Sequence, residues 1–102
     1  SEPFIGIEPI SIIIARIFEL GQNFPNPFNP VTNIEISVPV ESNVNVVSYD
    51  IAGREVETLF NNELKACVYK IDWNAANHPS GVYFYRMTAG KFTETRKMIL
   101  LK

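Results

Sequence analysis

Short runs of Val, Ile, Tyr, Phe and Thr, each cut off by Asn, Pro or Gly, recur along this sequence. That punctuation limits the fold severely. Branched and aromatic side chains lose rotamer freedom on a helix but sit well on a pleated sheet. Pro withholds an N–H, and Gly and Asn supply turn conformations, so no interval is left in which a long helix could grow. The candidate strands are Ile10–Phe18, Thr32–Val38, Asn43–Asp50, Glu55–Leu59, Cys67–Trp73, Gly81–Ala89 and Lys91–Leu101. Only Val56–Leu64 has room for a helical turn or two. About seven short strands are the count of an all-β, immunoglobulin-like antiparallel β-sandwich.

Alternation orients several strands. Ile34, Ile36 and Val38 share one parity, with Glu35 and Ser37 on the other. In the last strand Phe92, Met98 and Leu100 share a parity that Glu94 and Arg96 interrupt, which predicts a half-buried face. Gly81–Ala89 is apolar on both parities and reads as a central strand covered on both faces. Asp50–Gly53, Asn61–Asn62 and Ala89–Gly90 are turn signals, and the last predicts that the final two strands form a hairpin.

At 102 residues the chain has room for one domain, able to bury a core without metal or disulfide. The net charge of −2, with no Lys/Arg cluster before the end of the chain, argues against a nucleic-acid partner. A single cysteine, Cys67, forms no intrachain disulfide and says nothing of the compartment. The apolar run Ile10–Ile17, broken by Ser11 and Arg16, is far short of the roughly 20 residues of a membrane-spanning helix. The sequence does not open with Met and shows no leader pattern, so it reads as a piece of a longer protein.

The densest motif is Asn23-Phe-Pro-Asn-Pro-Phe-Asn-Pro30. Each Pro fixes its own φ and pushes the preceding residue toward an extended conformation. The Asn side chains suit a non-repetitive path, and Phe24 and Phe28 are expected to anchor the loop on the sandwich. The other use of such a segment is as a polyproline-type ligand for an aromatic groove.

Leu20-Gly-Gln-Asn-Phe-Pro-Asn-Pro-Phe-Asn-Pro30 resembles the opening of the type A C-terminal sorting domain of type IX secretion. The resemblance continues through Thr32-Asn-Ile-Glu-Ile-Ser-Val-Pro39, Tyr49-Asp-Ile-Ala-Gly-Arg-Glu-Val56, Trp73, Ser80-Gly-Val-Tyr-Phe-Tyr-Arg86 and Thr95-Arg-Lys-Met-Ile-Leu-Leu-Lys102. A flagellar hook-capping domain shares the Tyr-Asp-x-x-Gly and Gly-Val-Tyr pieces but not the Asn/Pro opening. The family usually has Gly where Cys67 stands, which bears on the turn or bulge before the Trp73 strand.

The resemblance implies a domain over residues 20–102, with residues 1–19 a linker to an upstream cargo domain or an added edge strand. It implies a C-terminal export signal of a secreted or cell-surface protein of a Gram-negative bacterium. Such a signal folds in the periplasm, is read by an outer-membrane translocon, and is removed in some cases by a sortase. By resemblance, the translocon reads the final two strands, at Gly81, Tyr83, Lys97 and Lys102. From the residues alone, Lys97 and Lys102 read first as charges that solvate an edge strand.

No enzyme is expected, and no cofactor. His78, the single histidine, precedes Pro79 in a loop and has no nucleophile at a known local spacing. Cys67 reads as a small core residue. Asp72, Asn74 and Asn77 lack the spacing of a calcium loop and suit Asx turns, so no metal is expected. Tyr69, Trp73, Tyr83 and Tyr85 carry the competing reading, a sugar-binding or adhesive module on a secreted hydrolase. Exposed, coplanar rings would favour that module; buried rings would favour the sorting signal. The branched run Ile10–Phe18 is expected to add to a sheet edge, in its own chain or another copy's, which makes residues 10–18 a route to self-association.

Overall fold

The computed structural model describes residues 7–11 and 16–102. The strands are β1 (Ile7–Ser11), β2 (Glu19–Leu20), β3 (Val31–Val38), β4 (Ser42–Tyr49), β5 (Glu55–Leu64), β6 (Cys67–Asn74), β7 (Gly81–Ala89) and β8 (Phe92–Leu100). They form two four-stranded sheets, ordered β1-β6-β3-β2 and β5-β4-β7-β8, in which every pairing is antiparallel. This is the immunoglobulin-like sandwich the strand count calls for, with the two-residue β2 in addition.

The two inner faces meet in one core. Ile34, Ile36 and Val38 of β3 point inward on their shared parity, as do Tyr69, Ile71 and Trp73 of β6. Val44 and Val46 of β4, Tyr83, Tyr85 and Met87 of β7, and Met98 and Leu100 of β8 close the core from the other sheet. β8 behaves as its broken pattern predicts: Met98 and Leu100 are buried, while Phe92, Glu94 and Arg96 stay half-exposed.

Four expectations need correction. β1 lies lower in the sequence than the expected Ile10–Phe18; residues 12–15 of that run lie outside the described residues, and 16–18 are not strand. Asn61 and Asn62 make no turn, because β5 runs on to Leu64 and pairs them with Asn45 and Val44. A register shift between Val46 and Val47 lets Leu59 and Phe60 both enter the core, and the continued ladder carries Leu64 to the core edge; these outweigh a weak local turn preference. β7 is central within its sheet but covered on one face only: Val82 and Phe84 are half-buried and Arg86 is exposed. The Phe24 ring does not anchor its loop, being 76% exposed, although its backbone pairs with Asn33; of the two rings only that of Phe28 is buried.

The turns follow their chemistry. Asp50 Oδ1 accepts from the Ala52 and Arg54 amides, both at 2.9 Å, and Gly53 closes the loop at φ +83°, where a side chain would be strained. Gly90 and Lys91 join β7 to β8 as a hairpin, with Ala89 opposite Phe92. Cys67 opens β6 opposite Val38 with no break in register, so no bulge stands where the family usually has Gly.

Candidate functional site: the terminal hairpin and its clamp

β8 is the outermost strand of its sheet, and an outermost strand offers a row of ladder groups to any passing chain. The Asn/Pro loop occupies part of that row. Gln22 Nε2 donates to the Lys97 carbonyl at 2.8 Å, and Asn26 Oδ1 accepts from the Ile99 amide at 3.0 Å. Phe28 completes the set through its backbone, donating to Ile99 O at 2.9 Å and accepting from Leu101 N at 3.0 Å. The loop thus lies beside β8 as a short parallel bridge centred on Phe28 and Leu100. Just before it, Leu20 O accepts from Arg96 Nε at 2.6 Å.

The loop is itself fixed from inside. Phe28 is 2% exposed, with its ring 5.9 Å from that of Trp73. Asn23 is buried; its amide donates to the Tyr85 hydroxyl at 2.8 Å and its Nδ2 donates to Thr32 Oγ1 at 3.0 Å. The Tyr85 hydroxyl donates onward to Gly21 O at 2.7 Å. Burial pushes the Tyr85 phenol up to about 12, against the opposing pull of the Asn23 hydrogen bond and the nearby Arg96. The phenol is therefore neutral and keeps its proton for Gly21.

The four residues singled out by resemblance do not form one cluster. Gly81 opens β7 opposite Leu100 at φ +155°, a conformation L side chains rarely adopt. Tyr83 faces the core, 5% exposed; its hydroxyl donates to Pro79 O at 2.6 Å and burial raises its pKa. Lys97 is exposed on the outer face of the sheet, opposite Phe84. Lys102 lies across the end of the hairpin: its amide donates to Ser80 Oγ at 2.9 Å, and its Nζ donates to the carbonyls of Ala76 (2.6 Å) and His78 (2.9 Å). Gly81, Tyr83 and Lys102 therefore share one end of the sandwich, while Lys97 stands apart.

The polar alternatives find quiet roles. Trp73 Nε1 donates to Glu57 Oε1 at 2.9 Å, and His78 Nε2 lies 3.3 Å from the same oxygen. Asn74 Oδ1 caps an Asx turn through the Ala76 amide. Cys67 is half-buried against the core, and no group of three metal-ligating side chains exists among the described residues. Tyr69, Trp73, Tyr83 and Tyr85 are all buried, so they present no face on which a sugar could stack.

Sequence reasoning missed the long reach of Gln22 and Asn26. It assigned the carboxamides of this loop to local backbone, and only the four-residue spacing of the two outward groups hints at a common strand-side partner.

The architecture defines a class: an immunoglobulin-like sandwich whose last strand is paired on one side and clamped on the other by the opening loop. A family model described as the secretion system C-terminal sorting domain matches residues 22–101, and the chain belongs to that family, the sorting domains of type IX secretion. It is thus the sorting segment of a larger exported protein, bound for the cell surface or the medium and handled by a secretion machinery. No curated protein matches the chain. Among solved structures, dimeric latent PorU from Porphyromonas gingivalis is similar, with a TM-score of 0.66 and 22% identity over 80% of this chain. The chain spans only 9% of that protein, and the likeness is one of fold.

Proposed function

We propose that this domain folds in the periplasm of a Gram-negative bacterium and is then read by an outer-membrane translocon, carrying out the cargo that precedes residue 20. It performs no chemistry of its own; a sortase acts on it rather than through it. The observation that carries this reading is the clamp. Gln22, Asn26 and Phe28 hold β8 in one register, so the terminal block is a fixed surface rather than a loose tail. Within it Gly81 and Tyr83 shape the hairpin end, Lys102 ties that end down, and Lys97 faces the partner. β1 (Ile7–Ser11) supplies a second contact, between copies: it is the outermost strand of its sheet, and its ladder groups suit another strand.

The test is fusion of residues 20–102 to a folded reporter in a host with this secretion system. Export to the surface or medium is expected, and removal of residues 91–102 should abolish it. A truncated fusion that stays folded and still leaves the cell would overturn the reading. Sedimentation of the whole chain across a hundredfold range of concentration tests the contact between copies; a monomer throughout would remove it.

A further inference from the structure

The two outer faces of the sandwich differ in chemistry. On the β3 and β6 side, outward positions hold Asn33, Glu35, Ser37, Lys70, Asp72 and Asn74 with Val31 and Val68, a mostly polar face. On the other side the outward positions of β4, β7 and β8 hold no carboxylate, while β5 contributes Glu55, opposite Tyr49, and Glu63, opposite Asn43. Val82 lies opposite Ile99, Phe84 opposite Lys97 and Arg86 opposite Thr95, with Tyr49 beside Phe84. Val82, Phe84, Ile99 and Tyr49 are half-buried, Arg86 and Lys97 are exposed, and Ile51 at the rim is 78% exposed. A chain of net charge −2 has thus gathered two cations and a run of apolar side chains on the β7-β8 part of one face, where the acids of that face lie across β4 on β5.

Arg86 is held in place for use. Its guanidinium lies 5.1 Å from the centre of the Tyr49 ring, and its Nε donates to Thr95 Oγ1 at 3.2 Å. This fixes a planar fork whose Nη donors suit a carboxylate, the partner such forks recognise best. Arg86, Tyr49, Phe84, Thr95 and Ile51 also line a shallow groove beside the Asp50–Gly53 turn. Asp50 lines it too, but both its oxygens are taken, by the Ala52 and Arg54 amides and by Arg54 Nε at 3.0 Å.

We infer that the outer face of β4-β7-β8, centred on Phe84, Arg86 and Lys97, is the docking surface for a protein partner that presents carboxylates beside apolar side chains. The inference rests on the sorting reading and specifies which side of the signal the machinery meets. Apolar contact supplies the buried area; the two cations set orientation and repel basic partners. The roles divide accordingly: Arg86 and Lys97 touch the partner, whereas Gly81, Tyr83 and Lys102 act through the shape of the hairpin end.

The experiment uses the full 102-residue chain fused to the reporter. R86E/K97E and the single K97E should leave the folded fusion in the periplasm, with export down at least about tenfold for the pair. Glu35→Lys, on the other outer face, should export as wild type. Melting curves of the purified variants confirm folding; K97E changes an exposed side chain on the outer face and keeps the test open if the pair unfolds. Wild-type export of folded K97E and R86E/K97E would overturn the inference. Failure of the unmodified fusion to export would instead bring down the sorting reading, and this face with it. A second arm mixes the purified chain with vesicles of phosphatidylcholine and phosphatidylglycerol at physiological salt. No co-sedimentation is expected; binding that K97E removes would assign the face to anionic lipid and overturn the protein partner.

Discussion

Tyr85 serves two backbone groups with one oxygen, accepting from Asn23 N and donating to Gly21 O. Tyr85→Phe should therefore cost about 1–3 kcal/mol at neutral pH, because a buried amide loses its acceptor. Titration gives a second handle. An unfolded tyrosine ionises near 10, and the folded Tyr85 near 12. Between those values the unfolded chain has lost the proton and the folded chain has kept it. Stability is therefore complete below about pH 10 and falls as pH rises toward about 12. Burial raises Tyr69 and Tyr83 as well, so their contributions have the same sign. Denaturant midpoints measured from pH 8 to 12 should decline over that window, and less steeply in Tyr85→Phe; an equal decline in both proteins would contradict the assignment. Trp73, 1% exposed, should cost roughly 3–5 kcal/mol as Trp73→Ala. The two residues were not equally legible in the sequence. Trp73 shares its parity with Tyr69 and Ile71, so local alternation shows its burial. Tyr85 draws its role from groups 62 and 64 residues away, where no periodicity reaches.

At the scale of elements, the strands were legible and the loop only in outline. β3, β4, β6 and β7 lie within a residue or so of their expected bounds, because each carries its own alternation and ends at a turn residue. β5 outran its bounds because a bulge and a long ladder are tertiary facts that Asn61 and Asn62 cannot announce. In the loop, burial of Phe28 but not Phe24 depends on which ring faces Trp73, and the sequence treats the two alike. The clamp makes a local prediction. Asn26→Ala removes the acceptor from the Ile99 amide, and a lost hydrogen bond of about 1 kcal/mol should speed its exchange roughly fivefold. The Met98 amide, which alternation points toward β7, should be unaffected. Equal protection of Ile99 in both proteins would show that the side chain does not hold the strand.

For the whole molecule, membership in the sorting family was readable from ordered blocks of residues, while the placement of its signal was not. Gly81, Tyr83, Lys97 and Lys102 lie in or just past two adjacent strands, yet one faces the core, one faces solvent, and two close an end. Alternation in the last strand already sets Lys97 outside, but β7 is apolar on both parities, so only the opposing sheet decides that Tyr83 faces in. Export should therefore distinguish two kinds of damage. Tyr83→Ala should lower the melting temperature and export together, whereas K97E should lower export alone; a K97E protein that melts early would break the distinction. The pairing of Asn26 with Ile99 spans 73 residues. A ribosome releases the loop long before it makes the strand that the loop receives, so the finished edge cannot form on a nascent chain. Nor can it form on a fragment that lacks either end of the domain. The address is legible only once the letter is complete, which makes each act of export a test that the whole sorting domain was synthesised and folded.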